Sequence, residues 1–173
     1  LVFTGIFYSF YTQTLDPLYL SVAAAAFVFS LFNVFLGKLY LGDFGSYGLG
    51  ALASLGALLL VAQGGVNIWF VLCIGAYPVI DFFVSIGRRR FAGKSPFSAD
   101  DDHMHNRVYE FLRNFGLSPL AANSTTGVTI STCTTGITLM LMNIWNIDAL
   151  AWLVLFLFFV VIYLVAYRLL LAK

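Results

Sequence analysis

Charged side chains are scarce in this sequence. Asp, Glu, Lys and Arg together make up 10% of the 173 residues, whereas a soluble domain carries about 25%. The hydrophobic share of 61% is too large for one globular core, so we expect lipid to be the solvent for much of the chain. The net charge of +1 gives no basis for a nucleic-acid partner, and we expect none.

Cysteine and histidine are rarer still. The two cysteines, Cys73 and Cys133, lie in apolar runs, where we interpret them as small buried side chains and not as a disulfide. No further histidine or cysteine lies close in sequence to His103 and His105, which argues against a zinc site. The opening LVFTGIFYSF has no Met and no basic residue, so it is not a signal peptide. It is typical of the second half of a membrane helix, and we expect the chain to be a portion of a longer protein.

Long apolar runs separate the few polar stretches. A helix needs about 20 mostly apolar residues to cross a bilayer. The sequence predicts a partial span at Leu1–Tyr11 and full spans at Leu18–Leu36, Tyr47–Gln63, Ile68–Ile86, Leu120–Met142 and Ala149–Leu171. The expected fold is therefore all-α, a single polytopic transmembrane helical bundle over residues 1–173 with about five full spans.

Lys and Arg are absent from every second connection between these spans. The connections 12–17, 64–67 and 143–148 contain none. The connections 37–46 and 87–119 and the C-terminal tail contain all nine: Lys38, Arg88, Arg89, Arg90, Lys94, Arg107, Arg113, Arg168 and Lys173. Because positively charged loops stay in the cytoplasm, the second group is predicted to be cytoplasmic, and any active site should face that side.

The first cytoplasmic loop, 37–46, is rich in glycine and contains one carboxylate, Asp43. Ser46 is a candidate N-cap for the next helix, which would place Asp43 just ahead of a helix N-terminus that favours anions. Mg²⁺ is commonly held by one or two carboxylates together with substrate phosphates, so Asp43 is a candidate magnesium ligand, with Mn²⁺ as the alternative ion. The other interpretation is a glycine-rich turn that eases helix packing.

The second cytoplasmic loop, 87–119, begins with an arginine run. Arg88–Arg90 suit either a phosphate cradle or contact with anionic lipid head groups. Just before this loop, Asp81 lies within the cytoplasmic end of a predicted span, where ionisable groups are costly and often functional. The alternative for Asp81 is pairing with Arg88 or another neighbour near the interface.

The rest of this loop predicts a helix. Ser98 and Asp101 have the spacing of a helix-capping signal, and apolar residues then recur at helical spacing. We expect an amphipathic helix over about 102–115 on the membrane surface. Gly116 is a natural end for that helix, and Ser118 followed by proline is a natural start for the next span.

A regular helix would separate the two histidines. At 100° per residue, His103 and His105 would point about 160° apart and could not bind one ion together. Either the helix starts after His105, or the two histidines have separate roles. Structural and functional roles are both open at this point.

Two segments together resemble a known family. LGDFGSYGLG at 41–50 and PVIDFFVSIGRRRFAGKSPFSADDDHMHN at 78–106 are similar to the polyprenyl-phosphate N-acetylhexosamine-1-phosphate transferases. Members carry G-D-x-G-S, P-V-x-D at a span end, a basic stretch, S-P-F, and D-x-x-H-x-H-H before an amphipathic helix. The resemblance covers essentially the whole chain and implies a multispan enzyme of the bacterial inner membrane with its active site facing the cytoplasm.

The resemblance also implies a reaction and a set of site residues. A UDP-N-acetylhexosamine would donate its sugar-1-phosphate to undecaprenyl phosphate, releasing UMP with a Mg²⁺ requirement, at the start of O-antigen, cell-wall or capsule synthesis. Asp43 would bind the Mg²⁺, and His103 and His105 would contact the diphosphate or sugar end of the donor. Arg88–Arg90 would hold phosphate or form the pocket wall.

The match departs from the family pattern in two places. Asn106 stands where the family has a third histidine, and asparagine can donate a hydrogen bond but cannot carry a proton charge. The family's paired aspartates and its nucleotide-site motif precede the segment matched here, so we expect this chain to be inactive alone. Ser46 and Asp81 are weaker candidates for the site, and Asn106 is a candidate substrate contact.

Two other classes compete with the enzyme. A transporter fragment would show charged or broken helices at mid-membrane, and the predicted spans contain no mid-span charge. A non-catalytic membrane subunit would use its basic loop only to bind anionic lipid. The sequence leaves a homodimer open and does not identify the sugar donor.

Overall fold

The structure is a computed structural model that describes residues 1–37, 39–95, 102–144 and 147–171. Within these ranges the regular secondary structure is entirely helical, which confirms the all-α prediction. The helices are α1 (Val2–Thr14), α2 (Pro17–Leu36), α3 (Gly42–Ala62), α4 (Ile68–Ile74), α5 (Ala76–Phe91), α6 (Met104–Asn114), α7 (Pro119–Ser131), a π-helical segment (Thr132–Gly136), α8 (Ile137–Ile144) and α9 (Ala149–Leu171).

Three of the described helices, α2, α3 and α9, are long and apolar enough to cross a membrane. The pair α4 and α5 qualifies only jointly, and its two halves are bent by 85°, so counting the pair as one span gives up to four. The predicted span at Leu120–Met142 corresponds to α7, the π-helical segment and α8, none of which is long enough by itself. The chain is thus supported as a membrane protein, while the number of five spans stays a prediction.

Side-chain caps explain where two helices begin. Asp16 accepts the backbone N–H of Leu18 at 2.9 Å ahead of α2, with Pro17 as the first helical residue. Ser118 accepts the N–H of Ala121 at 3.2 Å ahead of α7, also followed by proline. The prediction that Ser118 starts this helix is confirmed.

The start of α3 differs from the prediction. The helix begins at Gly42, four residues before Ser46, so Asp43 lies within the first turn and not ahead of it. Gly42 has a φ of 66°, a conformation that costs glycine little and lets the chain turn into the helix early. Ser46 is therefore not an N-cap, and its hydroxyl donates to the carbonyl of Asp43 at 3.0 Å.

Two clusters of buried side chains hold the helices together. The first joins the four helices α1, α2, α3 and α4 and contains Ile6, Phe7, Phe10, Ala23, Leu60 and Ile74. The second joins α4, α5 and α9 to the start of α6 and contains Phe70, Cys73, Ala76, Ile80, Met104, Trp152, Phe159, Tyr163 and Tyr167. Because α4 contributes to both clusters, it connects the two parts of the described bundle.

The break between α4 and α5 is stabilised by threonines of the neighbouring π-helical region. Backbone carbonyls freed at a break inside a membrane protein need new donors. The hydroxyl of Thr138 donates to the carbonyl of Cys73 at 3.2 Å, and that of Thr135 donates to the carbonyl of Ile74 at 3.0 Å. These two hydrogen bonds fix the point at which α5 begins, from which the chain continues into the connection 87–119.

Both cysteines are free, as predicted. Cys73 is buried, and its thiol lies 3.2 Å from the carbonyl oxygen of Trp152. Cys133 is exposed, so the expectation that it would be buried is wrong. The π-helical segment turns Thr135 inwards to reach α4, and Cys133 then points outwards.

Gly5 marks the closest approach of α1 to the π-helical segment. A Cβ added at Gly5 would lie 2.3 Å from Cγ2 of Thr135, whereas nothing lies within 4 Å of a Cβ added at Gly48 on α3. We expect Gly5→Ala to lower the free energy of unfolding by about 1–3 kcal/mol through overpacking. Gly48→Ala should leave it unchanged or raise it by up to about 1 kcal/mol. Chemical denaturation in detergent measures both, and equal shifts of the same sign would contradict the packing.

Candidate functional site: a buried Asp81–His103 pair

Asp81 lies at the centre of the polar side chains that the fold brings together. It is 7% exposed. One carboxylate oxygen accepts hydrogen bonds from the hydroxyl of Tyr163 at 2.6 Å and from the backbone N–H of Met104 at 3.1 Å. The other oxygen lies 2.6 Å from Nδ1 of His103. Asp81 thus joins α5 to the start of α6 and to α9.

The contact with Asp81 fixes the protonation pattern of His103. An ionised carboxylate only accepts hydrogen bonds, so Nδ1 of His103 carries the proton that the pair shares. Ser85 on the same side of α5 lies 3.3 Å from this nitrogen. No described residue forms a hydrogen bond with Nε2, which leaves that nitrogen available to a ligand.

His105 lies directly beside His103. The hydroxyl of Tyr77 is 2.8 Å from Nδ1 of His105, and the two imidazole rings stack with centroids 5.6 Å apart and planes 14° apart. A regular helix through both histidines, which would point them in nearly opposite directions, is not formed, because α6 begins at Met104. His103 is the extended N-cap residue of α6, with a φ of −88° and a ψ of 153°, and so does not follow the helical rotation.

Metal ligands beside the paired rings were sought among the described residues. Over the described residues, no group of three or more histidine, cysteine, aspartate or glutamate side chains is placed to hold a metal ion. Asp81 already binds the inner nitrogen of His103, and Tyr77 that of His105. With Nε2 of His103 not bonded to any described residue, the arrangement suits recognition of an anion or proton exchange.

A cavity of about 790 Å³ opens beside the histidines. It lies between α1, α2, α6 and α7, and Tyr77, His105 and Asn106 line the end nearest the Asp81–His103 pair. Asn33 and Asn123 add neutral polar groups, and no Lys, Arg, Asp or Glu of the described chain lines the cavity. A ligand whose charged part contacts the histidines could place a neutral part in this space.

A second polar cluster holds the same three helices together on another side. Asp102 forms ion pairs with Arg88 of α5 and Arg107 of α6. The hydroxyl of Tyr167 on α9 donates to the Asp102 carboxylate at 2.9 Å, and the guanidinium of Arg107 lies 4.7 Å from the centre of the Tyr167 ring. The charge of Arg88 is therefore balanced by Asp102, and Asp81 pairs with His103 instead.

The remaining predicted site residues lie apart from the cavity. Asp43 and Ser46 are on α3, which packs mainly against α1, and the Asp43 side chain is exposed and forms no hydrogen bond with any described residue. Arg88–Arg90 occupy the last turn of α5 and do not line the cavity. The fold thus gathers Asp81, His103, His105 and Asn106 around one place and leaves Asp43, Ser46 and the arginine run outside it.

Some predictions concern residues outside the described ranges. The capping signal of Ser98 and Asp101, the last two residues of the S-P-F segment and the first two aspartates of the acidic run lie there, as do Lys38 and Lys173. Helix α6, Met104–Asn114, lies inside the predicted range of 102–115, and Gly116 follows its end with a φ of 88°. Its position on a membrane surface stays a prediction.

Sequence reasoning missed the tyrosines of the site. Tyr163 and Tyr167 contact the two aspartates, and Tyr77 contacts His105. The signal that could have found the first two is their spacing of four residues in the mostly apolar α9, which places both on one face. Buried tyrosine hydroxyls require partners, so a polar group opposite that face was to be expected.

Comparisons with known proteins identify no relative. No family model matches this sequence, and it has no significant similarity to any curated protein or solved structure. The functional assignment therefore depends on the sequence motifs and on the geometry described above.

His105 is expected to stay neutral at pH 7. Partial burial lowers the pKa of His105; the Asp81 carboxylate opposes this effect and His103 adds to it. Because the folded-state pKa lies below the unfolded value of about 6.5, His105 stabilises the fold fully above that pH. This contribution is lost as the pH falls through the folded-state pKa. A ¹⁵N NMR titration of labelled histidines measures it, and a midpoint for His105 above 6.5 would contradict the burial.

Proposed function

We propose that this chain is the histidine-bearing part of a membrane enzyme that transfers N-acetylhexosamine-1-phosphate from a UDP-sugar to undecaprenyl phosphate, releasing UMP. The supporting sequence features are the motif series from Asp43 to Asn106 and its placement in loops predicted to be cytoplasmic. The structural feature that carries the proposal is the Asp81–His103 pair, which lies beside His105 at the end of a cavity between the helices.

The histidines suit the diphosphate of such a donor. Nε2 of His103 is not hydrogen-bonded to any described residue, and a protonated imidazole held by a carboxylate presents an N–H donor to a phosphate oxygen. Phosphoryl transfer depends mainly on positioning and on neutralising charge, so a fixed donor contributes directly to the rate. His105 and Asn106 lie where they could contact the adjoining sugar.

The arginine run contributes charge at a greater distance. Arg88 is engaged with Asp102, and Arg90 is exposed at the end of α5. We propose that Arg89 and Arg90 attract the anionic donor and lipid phosphate towards the cytoplasmic face and contact lipid head groups there.

The described residues do not assemble a magnesium site by themselves. Asp43 is a single exposed carboxylate, and no described group of three or more candidate ligands exists. We therefore derive no step through the metal. Asp43 is proposed as one oxygen ligand to Mg²⁺, or to Mn²⁺ as the alternative, and the rest would come from substrate phosphates and from carboxylates outside this chain.

The proposed setting is the bacterial inner membrane. Five spans with α6 on the membrane surface would place the connections 37–46 and 87–119 in the cytoplasm, in agreement with the distribution of Lys and Arg. The family's further aspartates would come from a segment of the protein that precedes this chain. The sugar donor, with UDP-N-acetylglucosamine as the default, and the glycan pathway stay open.

UMP release tests the proposal. The full-length protein in lipid should release UMP from UDP-N-acetylglucosamine when undecaprenyl phosphate and Mg²⁺ are present. Asp43→Asn should reduce the rate by about 100-fold or more, because a ligand that acts on the developing charge is lost. Asp16→Asn is the matched control, since asparagine caps α2 as well as aspartate does.

The outcomes separate the competing classes. A non-catalytic subunit releases no UMP with any hexosamine donor. Equal rates for Asp43→Asn and Asp16→Asn would show that Asp43 is not part of the site. Robust turnover by the 173-residue chain alone would contradict the proposal that part of the site lies outside it.

A further inference from the structure

Tyr163 is a polar group that the proposed reaction does not use. It lies in α9, a mostly apolar helix, and is 7% exposed. Its hydroxyl donates to Asp81 at 2.6 Å, on the carboxylate oxygen opposite the one that faces His103. The three groups form one chain of hydrogen bonds from α9 through α5 to the N-cap of α6.

These hydrogen bonds converge on the carboxylate of Asp81. Tyr163 donates to the carboxylate, and the carboxylate accepts from Nδ1 of His103. The backbone N–H of Met104 donates to the same oxygen as Tyr163, so three donors surround the carboxylate of Asp81. Each donor satisfies an acceptor position of the carboxylate and helps to hold it in one orientation.

We propose that Tyr163 is a positioning residue that sets both the tautomer and the proton affinity of His103 through Asp81. The hydroxyl keeps the carboxylate ionised and oriented, and the carboxylate holds His103 with its proton on Nδ1. Nε2 is then presented to the ligand. The inference deepens the proposed function, because His103 is the proposed contact to the donor, but its geometry stands without any substrate.

The surroundings of His103 define what else could affect its titration. On α5 these are Tyr77, Asp81 and Arg88, and Arg88 is paired with Asp102. On α6 they are His105 and Arg107, and Arg107 is also paired with Asp102. On α9 they are Tyr163 and Tyr167. Tyr163 is the α9 side chain in contact with Asp81, so its removal perturbs the pair while the Asp102 cluster is retained.

The experiment uses the small number of histidines. This chain has two, so ¹⁵N-histidine labelling in lipid nanodiscs gives two pairs of ring-nitrogen signals, one pair for each imidazole. The His105→Gln variant assigns them. In the wild type, neutral His103 should show a protonated Nδ1 and a bare Nε2. Tyr163→Phe removes one donor from Asp81, so the carboxylate becomes more basic and holds the proton of His103 more tightly. The midpoint of the His103 titration should rise by about one pH unit.

The control is Tyr8→Phe, which removes a hydroxyl from a partly exposed tyrosine on α1 and should leave the His103 titration unchanged. Asp81→Asn is the second variant and should remove the preference for the Nδ1 proton. A Tyr163→Phe protein with a lower melting temperature but an unshifted His103 midpoint would overturn the proposal, because the hydroxyl would then be only structural. A bare Nδ1 in the wild type would overturn it as well.

Activity is read separately. In the full-length protein, Tyr163→Phe should lower kcat of UMP release by about tenfold and leave the KM for the donor nearly unchanged. If the wild type releases no UMP but the titration shifts as expected, the proposed function fails and the positioning role of Tyr163 stands. If UMP is released and the titration does not shift, the positioning role fails alone.

Discussion

Replacing Asp81 with alanine is expected to lower the free energy of unfolding by about 3–5 kcal/mol, the range seen when one partner of a buried pair is removed. The carboxylate is 7% exposed and accepts from Tyr163, Met104 and His103, which lie on or next to two other helices. Alanine would leave the buried hydroxyl and the backbone N–H without an acceptor.

A matched substitution at an exposed aspartate measures how much of this loss of stability is specific to Asp81. Asp16→Ala removes an exposed N-cap from α2 and should cost about 1 kcal/mol. Both variants are unfolded chemically in the same detergent and followed by circular dichroism. A loss at Asp81 no larger than that at Asp16 would mean that the carboxylate is not the buried junction described above.

His103→Gln in the full-length protein is expected to reduce UMP release by about 100- to 10,000-fold, the contribution typical of a positioned acid–base or charge-donating histidine. Glutamine can still donate a hydrogen bond to Asp81, so the fold should be retained, but it cannot carry a proton to or from a substrate. The rate is measured under saturating donor and lipid phosphate.

Two controls accompany this variant. The melting temperature of His103→Gln should stay close to that of the wild type, which separates a catalytic loss from unfolding. His105→Gln should lose less activity, because His105 is held by Tyr77 and has no buried carboxylate to fix it. A His103→Gln enzyme with wild-type turnover would exclude His103 from the reaction.

The sequence predicted the helical class and several helix ends because these depend on local chemistry. Ser118 and Pro119 start α7 where a hydroxyl cap and a fixed φ favour a start. The apolar runs predicted α2 and α9 within a few residues. These signals need no knowledge of what lies across the bundle.

The misjudged features depend on tertiary contacts. The 85° bend between α4 and α5 is stabilised by Thr135 and Thr138, which are about 60 residues away in sequence. No sequence pattern near the bend predicts it. The stacked histidines follow from the extended backbone of His103, which the contact with Asp81 holds in place. The helical rotation assumed for His103 was the local expectation, and the buried carboxylate overrides it.

The sequence indicated the titratable residues of the site but not the tertiary contacts that pair them. Asp81 and the histidines stand out as titratable groups in an apolar chain, so composition alone marked them. The role of Tyr163 was not predicted, because the sequence around a tyrosine in a mostly apolar helix does not identify its hydrogen-bond partner. The packing of the helices also decides which carboxylate pairs with Arg88. In the structure Arg88 pairs with Asp102, and Asp81 pairs with His103.

We propose that Asp81 and His103 act as one unit in sugar-phosphate transfer. A double-mutant cycle on UMP release by the full-length protein measures this coupling, with Asp81→Asn, His103→Gln and the combined variant. The combined variant should lose no more activity than the worse single variant, because either change disables the same unit. Losses that multiply, or a wild-type protein that releases no UMP, would contradict it.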